Sequence, residues 1–535
     1  MFLSSAWSRF VLVFSLMGIM AQAEAPPDPA TSGARGLYFA KKAYVPEPLP
    51  TFAESRDKLP SPVLESRPEL VAMYWKCWEL AFTHFRQPRP GSPYVSNYLD
   101  AAFNGDLFQW DTVFMIMFAR YGNRVFPAVQ SLDNFYCRQH ENGYICRQLH
   151  PDGSDYYFDG PVHTVNPPLF SWAEVEEFHQ SGDKSRFARV LPALEKYVEW
   201  LNTDGDPSTY NADPNWLNHG RRAPGTVHHL YWNTGLGSGM DNTPRGGDGW
   251  VDMSCQMVMQ YNDLAMMADE LGQVEKAAKF RAEAKAIGDR INRWCWNEQD
   301  GFYYDVDKDG KQFKVKTSGG FWPMIAGITT KAQSDRLVAH LRNEKEFWRA
   351  IVFPTLAADE KHYQPEGGYW HGGVWAPTNF AIIKGLEACG YEDFATEATD
   401  KYLSGMASVF KDTGTVWENY APELPLRQGR PAQRDFVGWT GDGPIALLIE
   451  NILGFRSDGV RHRLEWRLTR TDRHGIERLP VGEATVTAIC EARVDAAAPA
   501  KIEIMTDKPV DLEVIKGGTK KSFSVNPGET TLTVL

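Results

Sequence analysis

The feature that most constrains this chain is a recurring pair of helical segments joined by a short connection that begins at a glycine. Each unit has an apolar-periodic segment, the glycine, a few polar residues and a second helical segment. The glycines at these connections are Gly122, Gly182, Gly272 and Gly390. Short links of this kind make antiparallel helical hairpins, and about six such pairs within residues 67–455 would close into a toroid. The long Gly-, Pro- and Trp-rich segments are then predicted to lie at one mouth.

The ends of the chain have other patterns. Residues 26–66 are rich in proline, as in PEPLP and KLPSP, and predict an extended arm that precedes the first helix. Residues 456–535 alternate apolar and polar residues, as in EATVTAIC and AKIEIMTD, which predicts a small C-terminal β-sandwich. The expected fold is therefore mainly α, a toroid of helix pairs with a small β-sandwich after it.

Residues 1–25 predict a secretory signal peptide. Arg9 precedes an apolar run over residues 10–20, and an Ala-Gln-Ala sequence ends at Ala23, where we expect cleavage. The apolar run is too short to span a bilayer. We therefore expect a periplasmic or secreted protein with no membrane association after cleavage, and the alternative is an N-terminal anchor that is never cleaved.

Charge and composition limit the classes of partner that this protein can bind. A net charge of -12 at pH 7 argues against a nucleic-acid partner and against an anionic membrane surface. The 18 tryptophans suit a carbohydrate-active protein, although core packing explains most such rings. No metal and no cofactor is expected, because the chain has no CxxC or HxxxH spacing. The DVDKDG segment beginning at Asp305 resembles the start of a calcium-binding loop, but Lys316 occupies the position at which such a loop has a glutamate. We therefore predict a β-turn for this segment.

Seven cysteines follow the predicted cleavage point. Cys137 and Cys146 are the near neighbours among them, and the intervening ENG sequence favours a turn that would bring the two thiols together. A disulfide between them is one of two open alternatives in an oxidising compartment, the other being two unlinked thiols.

Two carboxylates have surroundings suited to chemistry. Asp241 lies in the segment WNTGLGSGMDNTPR, whose Gly, Asn, Thr and Pro residues favour a loop over a helix or strand. Glu418 lies in TVWENY, between Trp417 and Asn419. Hydrolysis of a glycosidic bond requires one protonated and one ionised carboxyl group, and aromatic rings beside a carboxylate stack on sugars and exclude water. The alternatives are a capping role for Asp241 and a solvated strand edge for Glu418.

Four blocks in this order resemble glycoside hydrolase family 63: QWDTVFM at 109–115, SGMDNTPR at 238–245, YWHGGVWAPTNF at 369–380, and WENY with FVGWTG at 417–420 and 436–441. The trehalases of family 37 share the arrangement more loosely. The resemblance implies an (α/α)6 barrel and an inverting mechanism on α-linked sugars, with Asp241 as general acid and Glu418 as general base. The two carboxyl groups would then lie about 6.5 to 9.5 Å apart, and the cleft would push their pKa values apart.

Further residues are candidates for binding substrate. Trp110 and Asp111 look like the family's contact to the non-reducing-end sugar, and Arg245 could orient Asp241 or meet an anionic leaving group such as glycerate. His371 replaces an arginine of many relatives, so a permanent cation becomes one that titrates. The full set of predicted substrate-binding residues is Trp110, Asp111, Asn166, Asn242, Arg245, Trp370, His371, Trp375 and Trp439. A helix N-terminal charge at Asp111 and core packing of each ring are the alternatives.

These patterns predict an exported inverting α-glycosidase that cleaves a short α-linked glucoside or mannoside. Trehalose, kojibiose or nigerose-type oligosaccharides and glycosylglycerates all fit. One alternative is a uronide-acting hydrolase or polysaccharide lyase on the same toroid, since such toroids carry several chemistries. A lyase would need a Tyr/His pair and cations for uronate. The other alternative is a sugar-binding protein that has lost catalysis.

Overall fold

The computed structural model describes residues 34–39, 43–101, 104–156, 165–202, 222, 225–233 and 236–535. The predicted signal peptide at 1–25 lies outside these residues. The described helices are α1 (Phe52–Ser55), α2 (Pro68–Thr83), α3 (Gln109–Ala119), α4 (Ser131–Arg138), α5 (Phe170–Ser181), α6 (Phe187–Asn202), α7 (Val251–Glu270), α8 (Val274–Trp294), α9 (Trp322–Ile325), α10 (Lys331–Leu341), α11 (Ala376–Ala388), α12 (Glu392–Thr413) and α13 (Gly443–Ile452, of the π type). In this described part, no helix has both the length and the apolar character that a membrane span needs.

Short 3-10 turns connect several helices, at Arg56–Lys58, Arg120–Gly122, Ala128–Gln130, Leu236–Ser238, Ser318–Phe321 and Trp439–Asp442. Three of the four connections predicted from glycine have the left-handed backbone that ends a helix, at Gly182 (φ 75°), Gly272 (φ 72°) and Gly390 (φ 80°). Gly122 differs, because it closes a 3-10 turn. The prediction of short-linked helices is therefore confirmed at these places.

The helices form an inner and an outer layer. Every residue of α3 and α13 is buried, as expected for helices covered on all sides. In α8, by contrast, one stripe is buried and includes Ala284, Ile287 and Ile291, as in a helix with one apolar face. α3 packs on α5, α5 on α7, α7 on α9, and α9 on α11. The Trp439–Asp442 turn packs on both α11 and α3, so this series of contacts returns to its first helix.

Short strands also occur among the helices. They form four two-stranded pairs: β2 (Phe85–Arg86) with β3 (Tyr98–Leu99), β4 (Leu107–Phe108) with β5 (Gln148–Leu149), β6 (Trp296–Asn297) with β7 (Phe302–Tyr303), and β8 (Asp305–Val306) with β9 (Gln312–Phe313). All four pairs are antiparallel. The pair β4 and β5 lies directly before α3 and fixes the chain that enters this inner helix.

Longer strands form a separate region after the helices. The strands of this region are β10 (Phe455–Asp458), β11 (Arg463–Arg467), β12 (His474–Val481), β13 (Ala484–Cys490), β14 (Ala500–Thr506), β15 (Val510–Lys516), β16 (Thr519–Val525) and β17 (Gly528–Val534), and an earlier strand is β1 (Ser61–Leu64). One sheet has the order β1-β12-β13-β14-β17 and the other β10-β11-β15-β16, with only β11 and β15 parallel. Trp466 packs between them: its ring stacks on Phe455 and lies edge-on to His474. The predicted C-terminal β region is confirmed.

One strand lies where an extended arm was predicted. Ser61–Leu64, within residues 26–66, pairs antiparallel with β12, and Leu64 is opposite His474. Pro62 is tolerated there because β1 is at the edge of its sheet, where a missing N–H leaves no ladder bond unmade. The segment before the first long helix therefore completes the sheet whose other strands lie about four hundred residues later in the chain.

Two local predictions have clear outcomes. The ENG turn forms, with Gly143 N donating to His140 O, but no disulfide joins Cys137 to Cys146. Each thiol donates to a backbone carbonyl instead, Cys137 to Asn134 and Cys146 to Tyr156. The DVDKDG segment forms the predicted turn, in which Asp307 Oδ1 accepts from the backbone N–H of Asp309 and of Lys311.

Candidate active site

The predicted site segments precede or lie beside the N-terminal ends of inner helices. Asp111 is in the first turn of α3, and Trp375 immediately precedes α11. The Asp241 loop leads into α7, and the Glu418 segment packs beside the turn that leads into α13. Helix N-termini carry a partial positive charge, which favours carboxylates placed near them. The fold thus brings together, at one mouth, residues that lie far apart in the chain.

Asp111, Asp241 and Glu418 form one electrostatic cluster. Asp111 and Glu418 are each 6% exposed. Burial raises the pKa of Asp111 well above its usual value, and the negative charges of Asp241 and Glu418 raise it further. Oδ1 of Asp111 has no hydrogen-bond partner in the described part of the chain. Burial and the two neighbouring charges therefore favour the protonated form of this carboxyl.

Asp241 lies in a loop held by its own turn. Met240 N donates to Ser238 Oγ at 3.1 Å, and Thr243 N donates to Met240 O at 3.1 Å. Gly239 has a left-handed backbone (φ 75°), and a Cβ there would lie 2.6 Å from the ring of Trp110, so glycine is required for this close approach. Burial raises the pKa of Asp241 to about 6, opposed by the charge of Arg147. A carboxyl with this pKa is partly protonated near neutral pH, as a general acid needs.

Glu418 has fixed hydrogen-bond donors. Gln433 N donates to its Oε2 at 2.9 Å, the Tyr369 hydroxyl donates to the same carboxylate, and Trp439 Nε1 donates to its backbone oxygen at 3.0 Å. Burial raises the pKa of Glu418 to about 7, whereas the hydrogen bonds from Gln433 and Tyr369 favour the ionised form. The pKa values of Asp241 and Glu418 are thus both raised, and the free cleft does not separate them widely.

Tyr369 is a site residue that the sequence analysis did not identify, although it is adjacent to the predicted Trp370. It has a left-handed backbone (φ 64°), which is strained for a bulky residue. Its carbonyl accepts from Trp375 Nε1 at 3.1 Å, and its ring lies edge-on to that of Trp375. Burial raises the pKa of its hydroxyl, and the charges of Glu418, Asp241 and Asp111 raise it further. Tyr369 therefore lies in the middle of the carboxyl cluster.

Three predicted tryptophans form an aromatic wall beside Glu418. Trp370 and Trp375 are stacked with ring centroids 3.9 Å apart, and Trp439 lies 5.6 Å from Trp375. The indole N–H groups of Trp375 and Trp439 are used in bonds to the backbone of Tyr369 and Glu418. Trp370 Nε1 and Trp110 Nε1, by contrast, are buried without a partner in the described structure. The N–H groups of these two rings are therefore unbonded and enclosed within the protein.

Two predicted asparagines connect loops. The side chain of Asn166 accepts from Trp110 N at 3.4 Å and donates to Gly237 O at 3.0 Å. The side chain of Asn242 accepts from Trp370 N at 2.8 Å and donates to Gly368 O at 3.1 Å. Asn242 therefore links the Asp241 loop to the segment that carries Tyr369, and both amides hold backbone in this structure.

The two predicted cations do not supply a free positive charge. Arg245 is buried against the ring of Trp250 and pairs with Asp252, through both terminal nitrogens, and with Asp305. Its charge is therefore compensated by two carboxylates, so the guanidinium of Arg245 is not available to the anionic leaving group considered above. His371 is half-buried, its Nδ1 lies 3.2 Å from Gln364 Nε2, and burial lowers its pKa, so it is neutral near pH 7.

Arg147 is a cation that the sequence analysis missed. It directly precedes β5, which pairs with β4 at the start of α3. Its carbonyl accepts from Gln109 N at 2.8 Å. The residue is thereby fixed beside the first turn of α3, and its charge acts on Asp111 and Asp241. No local pattern in YICRQLH signals this position, because it depends on strand pairing.

Buried carboxyls beside stacked indole rings are the groups that hydrolysis of a glycosidic bond requires, and the family matches show that this protein is a glycoside hydrolase. Residues 249–436 match the mannosylglycerate hydrolase MGH1-like glycoside hydrolase domain, and residues 165–320 match the glycosyl hydrolase family 63 C-terminal domain. The resemblance to family 63 is thereby confirmed.

Individual relatives agree with this assignment. A protein of Schizosaccharomyces pombe described as a probable mannosyl-oligosaccharide glucosidase is 24% identical over 331 residues, 56% of this chain and 38% of that protein. The family 63 mannosylglycerate hydrolase from Thermus thermophilus in complex with glucose is 17% identical (TM-score 0.53), and the match covers 70% of this chain and 99% of that one. Neutral trehalase from Saccharomyces cerevisiae is 16% identical (TM-score 0.52) over 66% of this chain and 73% of its own. At these identities the structures show a shared fold.

Proposed function

We propose that this protein is an inverting α-glycosidase that acts on a short α-linked glucoside or mannoside, with Asp241 as general acid and Glu418 as general base. The observation that supports it best is the different environment of the two carboxyls. Glu418 accepts from Gln433 N and the Tyr369 hydroxyl, which suits an ionised base. Asp241 has no such side-chain donor in the described structure, and burial raises its pKa, which favours the protonated form that an acid needs. The pKa of Glu418 is raised to about 7, so the proposal requires the bound substrate to place the proton of the pair on Asp241.

In this mechanism Asp241 gives its proton to the glycosidic oxygen as the bond from that oxygen to the anomeric carbon breaks. Glu418 takes a proton from a water molecule on the opposite face of the sugar, and the hydroxide oxygen forms the new bond to the anomeric carbon. The product is the β-anomer, with Asp241 ionised and Glu418 protonated. Proton exchange with solvent restores the starting state. Asp111, Trp110 and Trp370 would bind the sugar being released.

The proposal also includes the type of helical barrel and the cellular location of the protein. The contact series of the inner helices supports an (α/α)6 barrel with six helix pairs. Residues 1–25 support export to the periplasm or the exterior, with cleavage near Ala23. The substrates compatible with the site are trehalose, kojibiose or nigerose-type oligosaccharides and glycosylglycerates. The names of the S. pombe and T. thermophilus relatives, a mannosyl-oligosaccharide glucosidase and a mannosylglycerate hydrolase, fit within this range.

The test is a panel of α-linked disaccharides and glycosylglycerates, with the released anomer followed by proton NMR. Wild type, Asp241→Asn and Glu418→Gln are compared with Asp309→Asn, which removes an exposed carboxylate in the DVDKDG turn. We expect initial release of the β-anomer by wild type and Asp309→Asn, and a loss of at least about a hundredfold in both cleft variants.

Release of the α-anomer, or full activity in either cleft variant, would overturn the mechanism. Turnover of uronides in place of neutral sugars would favour the uronide-acting alternative. Sugar binding without any turnover, unchanged in Asp241→Asn and Glu418→Gln, would make this a binding protein.

A further inference from the structure

The helical region contains a second cavity, at the end of its inner helices opposite to the carboxyl cluster. Its volume is about 540 Å³, within the range of about 300 to 1,000 Å³ that is typical of small-molecule sites. The lining comes from α5, α11, the turn that follows α3, and the strands β10 and β11. Asp111, Asp241 and Glu418 are not among the residues that line it. The cavity therefore lies at the junction of the helices and the β region, apart from the proposed active site.

A series of aromatic rings lies between this cavity and the carboxyl cluster. The ring of Trp110, next to Asp111 in the chain, has its centroid 4.7 Å from that of Phe114, which lies 5.8 Å from that of Trp172. The ring of Trp172 in turn lies 5.9 Å from that of Phe380. Trp172 and Phe380 line the cavity and give it an apolar surface. Aromatic surfaces of this kind pack well against the C–H groups of a sugar ring.

The charged side chains of the cavity neutralise one another. Each lysine and arginine of the lining is paired with at least one carboxylate. Arg120, for example, pairs with Glu176 and Glu450, and Lys384 pairs with Glu387 and Glu450. An anion or an organic cation that entered the cavity would have to replace a partner in one of these pairs, which is costly for buried ions. A neutral polar ligand would leave the pairs intact.

Several polar atoms of these pairs can make further hydrogen bonds. Glu176 bonds to Arg120 through Oε2, and its Oε1 makes no hydrogen bond within the described structure. Glu465 comes no closer than 3.8 Å to Arg456, which is beyond hydrogen-bond distance. The ammonium of Lys384 has three N–H donors and contacts two carboxylates. The cavity therefore offers both acceptors and a donor, and a hydroxyl group can bond to either.

We propose that this cavity binds a neutral monosaccharide or disaccharide at a second site that takes no part in hydrolysis. A sugar ring has hydroxyl groups around its edge and C–H groups on its faces, which match paired ions beside an aromatic surface. The ligand would contact α5 and α11 on one side and β10 and β11 on the other. Binding would therefore hold the β region against the helices. This site goes beyond the proposed function and does not depend on the roles of Asp241 and Glu418.

The test is backbone hydrogen exchange of the full chain, followed by mass spectrometry over a series of D-glucose concentrations. The peptides that report on the cavity cover residues 173–181 of α5 and residues 455–466 of β10 and β11. Wild type is compared with Ala388→Trp, which places a large side chain at an exposed position of the lining. Ala278→Trp, at an exposed position of α8 outside the cavity, is the matched control. Glu465→Leu, the second variant, removes the acceptor without filling the space.

We expect saturating glucose to slow exchange in both segments by at least about threefold in wild type and Ala278→Trp, and to leave it unchanged in Ala388→Trp. Glu465→Leu should raise the half-saturating glucose concentration about fivefold, the effect of losing one hydrogen bond. D-glucuronate and D-glucosamine have the same ring with one negative or one positive charge. Both should need at least about fivefold higher concentrations than glucose, because each disturbs an existing ion pair.

Unchanged exchange of both segments in wild type, or equal slowing in Ala388→Trp, would overturn the proposal. Tighter binding of D-glucuronate or D-glucosamine than of glucose would also overturn it, by assigning the cavity to a charged ligand. These measurements involve no hydrolysis, so their failure leaves the glycosidase function intact. The proposed function fails separately, if no α-glycoside is hydrolysed while glucose still protects the two segments.

Discussion

The similar pKa values of Asp241 and Glu418 predict a narrow pH optimum. The pKa values of the two carboxyls are about 6 and about 7. Because the groups interact, these values describe the pair as it loses two protons in sequence. Below the lower value both are protonated and the base is lost, and above the upper value both are ionised and the acid is lost. Activity therefore needs the singly protonated pair.

The size of the effect follows from these two values. The singly protonated fraction is greatest near pH 6.5, where it is about 60%, and falls to about 9% at pH 5 and at pH 8. The kcat/KM value should therefore fall about sevenfold within about one and a half pH units on either side. A cleft with widely separated values, such as about 4 and about 8, would give a plateau instead.

The assay is kcat/KM for a neutral α-linked disaccharide between pH 4 and pH 9 at constant ionic strength, because this ratio reports the free enzyme. A neutral substrate keeps its own titration out of the profile. Circular dichroism at each pH separates loss of protonation state from loss of structure. A flat profile from pH 5 to pH 8, or a profile with a single limb, would refute the argument that burial raises the pKa values of both carboxyls.

Two further perturbations have expected outcomes. Tyr369→Phe removes a hydrogen bond that favours ionised Glu418, so kcat should fall about tenfold with little change in KM, and the alkaline limb of the profile should move up by about one unit. Tyr363→Phe, whose hydroxyl binds Glu423, is the matched control, and an unmoved alkaline limb in Tyr369→Phe would contradict the role. Glu450 is buried against Lys384 and Arg120, and although burial raises its pKa, these two cations bring it down to about 2. Because the pKa of Glu450 in the folded protein is below its usual value of 4.5, the ionised side chain stabilises the protein above pH 4.5 by about 3 kcal/mol. This stabilisation is lost as the pH falls towards 2. Glu450→Gln should therefore lower the free energy of unfolding by about that amount at pH 7 in urea titrations, with a difference that shrinks below pH 4.5. The exposed Glu298→Gln should change it by less than about 1 kcal/mol, and equal effects of both variants would contradict the argument.

The helices were predictable because their signals are local. Apolar spacing of about 3.6 residues and a glycine at the end of a helix act within one segment, and Gly182, Gly272 and Gly390 lie where that pattern indicates. The strand at Ser61–Leu64 was not predictable, because four residues with a proline carry no strand pattern. Its structure comes from pairing with Glu477 to His474, far along the chain.

The same distinction applies to the site. Asp241 and Glu418 were identifiable because aromatic and loop-forming neighbours surround each of them in the sequence. The state of Arg245 was not, because the carboxylate of Asp305 that helps to neutralise it lies sixty residues away. The place of Arg147 depends on a two-residue strand pair, β4 with β5. Sequence shows which charges are present, and only the fold decides which of them are compensated.

Compensation also divides the polar residues of the site into two groups. Asn166, Asn242 and the terminal nitrogens of Arg245 are bonded to backbone or carboxylates, so these residues hold the loops of the site in place. Asp111 Oδ1, the indole nitrogens of Trp110 and Trp370, and the guanidinium of Arg147 have no such partners among the described residues. Buried polar groups in a stable protein are normally bonded, and unbonded ones also occur elsewhere in the described part of this chain, at Trp78 Nε1 for example. What distinguishes Asp111 is that the charges of Asp241 and Glu418 act on it, so a change in the protonation of that pair changes its pKa as well.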